Sequence, residues 1–170
     1  MKRLIGIVLL LLAVGIGGFF GWKYFFGESE QDILERRLQE VSRTLGKIGN
    51  EGFLVQLEHA RAISKYFDDV CDVRLPKFNR VAKMSRSHIE QNVVTVRNWA
   101  TDLEARVYDT EYFFEEGDPL RCKVLFTVMV HARFRTGDSF QEGYDMEINW
   151  VKKDGEWLIE GIGFSGILHR

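Results

Sequence analysis

His131 sits in the middle of the longest strand-like run of the chain, LRCKVLFTVMVHARFR, with Met129 and Arg133 two residues to either side. An imidazole changes its charge near neutral pH, which suits it to proton transfer. Catalysis of that kind needs an imidazole or carboxylate inside an apolar cavity, together with a partner that stabilises the charge developing on the substrate. Asp109 and Asp145 are the carboxylates that would complete a catalytic set with His131, and Tyr66, Asp69 and Tyr144 are the side chains that would line its ligand pocket. The competing reading places His131 on the outer face of a sheet or hydrogen-bonded within a core.

Other chemistries find less support. The histidines at 59, 88, 131 and 169 are far apart, no H-x-x-x-H pair occurs and the two cysteines do not form a C-x-x-C, so neither a metal site nor a cofactor is expected. There is no phosphate-cradling glycine loop and no nucleophile elbow. Cys71 and Cys122 either pair in an oxidising compartment, closing a loop of about 50 residues, or serve as two small buried hydrophobes.

Charge argues against nucleic acid as a partner. Three of the 23 bases lie in the first 27 residues, which hold no acid, leaving 20 bases against 25 acids in the remaining 143. Binding to a phosphate backbone draws on clustered Lys and Arg, which this mildly acidic remainder does not supply.

Those first residues read as a signal-anchor. LIGIVLLLLAVGIGGFF carries no charge, and Trp22, Tyr24, Phe25 and Phe26 extend it around Lys23. A helix over residues 4–26 would cross a hydrocarbon core of roughly 30 Å. A cleavable signal peptide has a shorter apolar region ending in small residues, whereas this run ends in aromatics suited to an interfacial belt. Lys2 and Arg3 favour an N-terminus inside, a single-pass protein of the inner (cytoplasmic) membrane and a C-terminal domain that is periplasmic or extracellular.

Residues 28–170 form the domain that must position the polar groups. Ile33, Leu34, Leu38, Val41, Leu45 and Ile48 recur at helical spacing, and Gly46 and Gly49 end that helix. A second helix is expected after a cap at Asn50, with Phe53, Leu54, Leu57, Ala60, Ile63 and Phe67 as its apolar stripe. VCDVRL reads as a short edge strand stopped by Pro76, and the Ser87–Glu90 spacing as the capping box of a third helix reaching about Trp99. KFNRVAKM, between them, fits no element clearly. From Asp102 the period becomes two. In the long run Cys122, Val124, Phe126, Val128, Val130 and Ala132 share a dry face with Leu120, while His131 and the bases Arg121, Lys123, Arg133 and Arg135 share the other. Asp154-Gly155 marks a hairpin, and glycines at 161, 163 and 166 would let the last strand curve and a helix approach closely.

Over residues 30–166 this order, three helices, a short strand between the second and third, and a meander ending in DGEWLIEGIGF, resembles the nuclear transport factor 2 like superfamily, also called SnoaL-like. The resemblance implies an α+β cone: three helices packed on a strongly curved, mostly antiparallel sheet, with a pocket between them. Members include isomerases, dehydratases and hydrolases as well as proteins that only bind or assemble, so the fold leaves the activity open. The expectation is a membrane-anchored, non-catalytic binding or assembly module with a protein partner or a second copy of itself. The alternatives are a small isomerase, dehydratase or hydrolase working in the cone, or a domain that holds an apolar ligand such as a lipid.

Overall fold

The computed structural model describes residues 28–75 and 80–168, so the expected anchor at residues 1–27 and the strand-ending Pro76 lie outside the described residues. By packing, the chain divides into Met1–Ile33 and Leu34–Arg170. In the described part of the first unit, Ser29 and Asp32 form a reciprocal cap: Asp32 N donates to Ser29 Oγ at 3.1 Å, and Ser29 N donates to Asp32 Oδ2 at 3.0 Å. Hydrogen bonds from Ser29 hold the Asp32 carboxyl below its ordinary pKa. This cap opens helix α1 (Glu30–Leu45), with acids in its first turn and Arg43 in its last, as the helix dipole favours.

Helix α2 (Phe53–Ser64) follows. Its N-cap is Gly52 rather than Asn50, and no side chain caps it. Ala60 and Ile63 of the expected stripe are buried, but Phe53 and Leu54 are 65% and 77% exposed, and Phe67 is buried on a strand instead. Strand β1 (Phe67–Leu75) pairs antiparallel with β2 (Arg80–Ser85), which takes up residues 80–84 of the stretch that fitted no element. Helix α3 (Arg86–Trp99) is capped by Ser85, whose Oγ accepts from His88 N at 3.4 Å, so the cap lies two residues before the expected Ser87.

The meander then runs through β3 (Ala100–Glu115), β4 (Asp118–Phe134), β5 (Ser139–Lys153) and β6 (Glu156–Leu168). Together the strands make a six-stranded sheet in the order β2-β1-β6-β5-β4-β3. All neighbours pair antiparallel except β1 and β6, which are parallel. β1 is therefore an interior strand and not the edge expected of it; β2 and β3 are the edges. Register shifts in β3 after Tyr108 and in the β5–β6 pairing at Asp145 and Asn149 mark where a sheet of this kind bends.

One face of the sheet packs beneath the helices. On β4 the buried residues are Cys122, Val124, Phe126, Val128 and Ala132, the alternation expected, although Leu120 is half exposed. Ile148 and Trp150 of β5, Trp157 and Ile159 of β6, and Leu34, Leu38, Ala60 and Ile63 from the helices are buried as well, while Ala132 clusters with Ala100 and Leu103 of β3. Hydrogen bonds from α1 tie it to the sheet: Arg37 Nη1 donates to Trp157 O and Ser42 Oγ to Ala105 O.

The close neighbours of Gly161 and Gly163 in β6 are adjoining strands and not the helix expected. Gly163 pairs with Arg74 of β1 on one side and Glu147 of β5 on the other, and a Cβ at this glycine would touch the Cβ atoms of both. Without a side chain there, Arg74 and Glu147 reach across the strand to an ion pair at 3.7 Å. Gly161 likewise leaves room for Asn149, whose Nδ2 would lie 3.2 Å from an added Cβ. Polar side chains thus crowd the sheet face away from the helices, closely at Gly161 and at ordinary contact distance at Gly163.

Cys71 and Cys122 are buried free thiols. Two strands, β6 and β5, separate β1 from β4, which puts the cysteines about 14 Å apart at the usual interstrand spacing, beyond disulfide reach. Burial pushes their thiols up to about 12 and about 11.

Candidate functional site

Helix α1 ends where its chain turns onto the sheet edge. Gly46 makes that approach feasible, since a Cβ there would lie 3.0 Å from Arg43 O and 3.7 Å from Leu103 O. Lys47 then pairs with the edge strand β3 in both directions, Lys47 N to Leu103 O at 2.7 Å and Leu103 N to Lys47 O at 2.9 Å.

From there the Lys47 side chain crosses beneath the end of α3. Its Nζ donates to Arg97 O at 2.5 Å and Ala100 O at 2.6 Å, carbonyls that a helix leaves without partners at its C-terminus. Arg97, from the last turn of α3, returns the arrangement. Its Nη1 donates to Thr44 O, Leu45 O and Gly46 O at 2.9–3.0 Å, and its Nη2 to both oxygens of Glu51 at 2.8 Å. Each helix thus has its negative end closed by a cation that belongs to the other segment. Arg97 is 0% exposed and Lys47 3%. Burial lowers the Lys47 pKa, against the opposing pull of Glu51.

Lys47 and Glu51, the two residues tied to Arg97, line an open groove of about 920 Å³ along the outer edge of β3. Gln39, Ser42 and Arg43 of α1 and His59 of α2 line one side, and Ala105, Val107 and His131 line the other.

The groove gathers few of the residues singled out from sequence. His131 is exposed at its rim, opposite Glu104 of β3 and Gln141 of β5. Asp145 is four register positions farther along β5, about 13 Å at strand rise, and accepts from Thr127 Oγ1 at 3.0 Å. Asp109 sits exposed in the β3 bulge with φ 52°. His131, Asp109 and Asp145 are therefore not brought together. Tyr66 donates to Glu40 Oε2 at 2.8 Å and Asp69 lies 3.6 Å from Arg86 Nε, both near the start of β1. Tyr144 stands on the helix-facing side of β5, donating to Glu142 Oε2 at 2.6 Å beside the rings of Phe140 and Phe164. Burial and the Glu142 carboxylate push the Tyr144 hydroxyl up to about 12. The three expected pocket residues thus fall at two separate places.

Sequence reasoning passed over Lys47 and Arg97. A signal was present: Arg97 falls four and eight residues after Val93 and Ile89, on the apolar stripe of α3, where a cation needs a buried partner. His59, noted from sequence only as one of four widely spaced histidines, is half-buried in the groove. Among the described residues no group of His, Cys, Asp and Glu gathers in the manner of metal ligands.

No protein-family model and no curated protein matches the chain. Solved structures do. A protein provisionally assigned as a scytalone dehydratase from Novosphingobium aromaticivorans superposes with a TM-score of 0.66 at 15% identity, over 82% of this chain and 85% of that one. A provisionally assigned calcium/calmodulin dependent protein kinase II association domain from Xanthomonas campestris gives 0.61 at 12%, over 82% and 89%. The association domain of that kinase from C. elegans gives 0.56 at 12%, over 81% and 95%. The fold is shared. Three helices on a six-stranded sheet is an α+β fold that this chain has in common with these solved proteins.

Proposed function

We propose that this chain is a membrane-tethered, non-catalytic binding or assembly module whose globular part lies outside the cytoplasm. The observation that carries the reading is an apolar surface at one end of the α2–α3 pair. Ile48, Phe53, Leu54 and Val55 follow closely in the chain and are 91%, 65%, 77% and 44% exposed. Lys47 and Glu51, within the same segment, tie it to the end of α3, where Val96 and Trp99 are exposed as well. Contiguous exposed apolar side chains mark surfaces that meet a partner. The spread of His131, Asp109 and Asp145 over separate positions supports binding over proton transfer. The tether rests on the uncharged run of residues 4–20 and its aromatic flank, which lie outside the described residues; among the described residues no helix is long and apolar enough to cross a membrane.

Chemical crosslinking of the full chain in membranes tests the reading. Complexes larger than one chain are expected, and Leu54→Asp should deplete them while leaving the unfolding midpoint in place. Recovery as an uncomplexed monomer alone would overturn it.

A further inference from the structure

The groove beside β3 has a feature that an ordinary surface cleft lacks: one wall is a sheet edge with its backbone turned outward. In antiparallel pairing, successive residues alternate between facing the neighbouring strand and facing away. Leu103 gives both its N–H and its C=O to Lys47 across the outer edge, so Ala105 and Val107, two and four residues on, face the same way. The Ser42 hydroxyl on Ala105 O, at 2.7 Å, agrees with this. The Ala105 N–H and the Val107 N–H and C=O have no partner among the described residues, and both residues are part exposed. The window closes at the bulge containing Asp109.

The charge left over in the groove has a sign. Each of its acids is already engaged: Glu51 by Arg97 at 2.8 Å, Asp102 by Arg133 at 3.6 Å and Glu104 by Arg106 at 2.7 Å. Lys47 is spent on carbonyls. Arg43 remains as a cation with no carboxylate partner among the described residues, and His59 and His131 stand in the groove as hydrogen-bonding side chains that likewise have none.

We infer that this groove takes an acidic, extended segment of a partner polypeptide, which adds antiparallel to β3 as a seventh strand and continues the pairing begun by Lys47. Main-chain hydrogen bonds to Ala105 and Val107 hold the segment, and carboxylates set against Arg43 and the two histidines select it. The inference rests on the binding-module reading and names its recognition site.

A capped peptide alternating glutamate and valine, titrated against the full chain, tests it, with a lysine–valine peptide as counterpart. The glutamate peptide should bind about tenfold tighter or better, and hydrogen exchange at the Ala105 and Val107 amides should slow on binding. Val107→Pro removes an outward N–H that the ladder does not use, a change sheet edges accommodate, and should abolish binding. Arg43→Glu, distant from the core, should reverse the preference between the two peptides. Binding that leaves those amides unprotected, equal affinity for both peptides, or no binding at millimolar peptide would each overturn the inference. If it falls while membrane crosslinking still yields complexes, the assembly reading survives with its contact elsewhere; if crosslinking yields monomers while the amides are protected, the assembly reading falls and the groove remains.

Discussion

Arg97 concentrates more of the structure's dependence than any other polar side chain described. Its guanidinium closes three carbonyls of α1 and clasps Glu51 while itself 0% exposed. Removing one partner of a buried pair strands the other, so Arg97→Ala should cost about 3–5 kcal/mol in denaturant unfolding. Arg97→Lys should recover less than half of that, because an ammonium cannot reproduce the planar fork. Lys47 makes a prediction in pH. Its folded pKa lies below the ordinary 10.5 of the unfolded chain, chiefly through desolvation, so between the two values the unfolded state binds more proton. Stability should accordingly rise with pH across the window ending at 10.5, and Lys47→Met should flatten that rise in unfolding curves. His131, by contrast, is an exposed side chain, and His131→Ala should change stability by no more than about 0.5 kcal/mol.

The elements show where sequence reasoning carries and where it stops. The four-strand meander was legible because a period of two cannot be mistaken over runs as long as β4, and because Asp154-Gly155 takes positive φ at both positions, as its hairpin turn requires. β2 was not legible: its mixed sequence, RVAKMS, has no clear period and becomes a strand through pairing with β1, a contact that local pattern does not encode. The α2 stripe failed for a related reason, since helical spacing places Phe53 and Leu54 on a face without saying whether anything covers it. On β6, glycine was recognised as meaningful but assigned the wrong neighbour. Because a Cβ on Gly163 meets only ordinary van der Waals contacts, Gly163→Ala should be neutral or stabilising by about 0.5 kcal/mol. Gly161→Ala, pressed against Asn149 at 3.2 Å, should destabilise. Thermal unfolding of the two variants side by side checks the sign.

Across the whole domain, the α+β class and the helix-then-meander order were readable from the chain, whereas the candidate site was not. Its parts come from α1, α2, β3 and β4, and their meeting depends on the placement of α1 along the β3 edge, which a one-residue bridge at Lys47 secures. The same topology determines thiol chemistry. With β6 and β5 between them and their pKa values raised by burial, Cys71 and Cys122 should resist alkylation in the native protein and react together on unfolding. A non-reducing gel of the native chain should show no internal crosslink.

The exchange of cations between the ends of α1 and α3 also bears on how the protein opens. Residues 44–47 and 97–100 are about fifty positions apart in the chain, so neither terminus is complete until β1, β2 and α3 have all been laid down. Fraying at one end withdraws the charge that closes the other. The final turns of two helices distant in sequence are therefore expected to breathe as one unit, with their amide protons, and that of Leu103 on the adjoining strand, escaping to solvent through a single shared event.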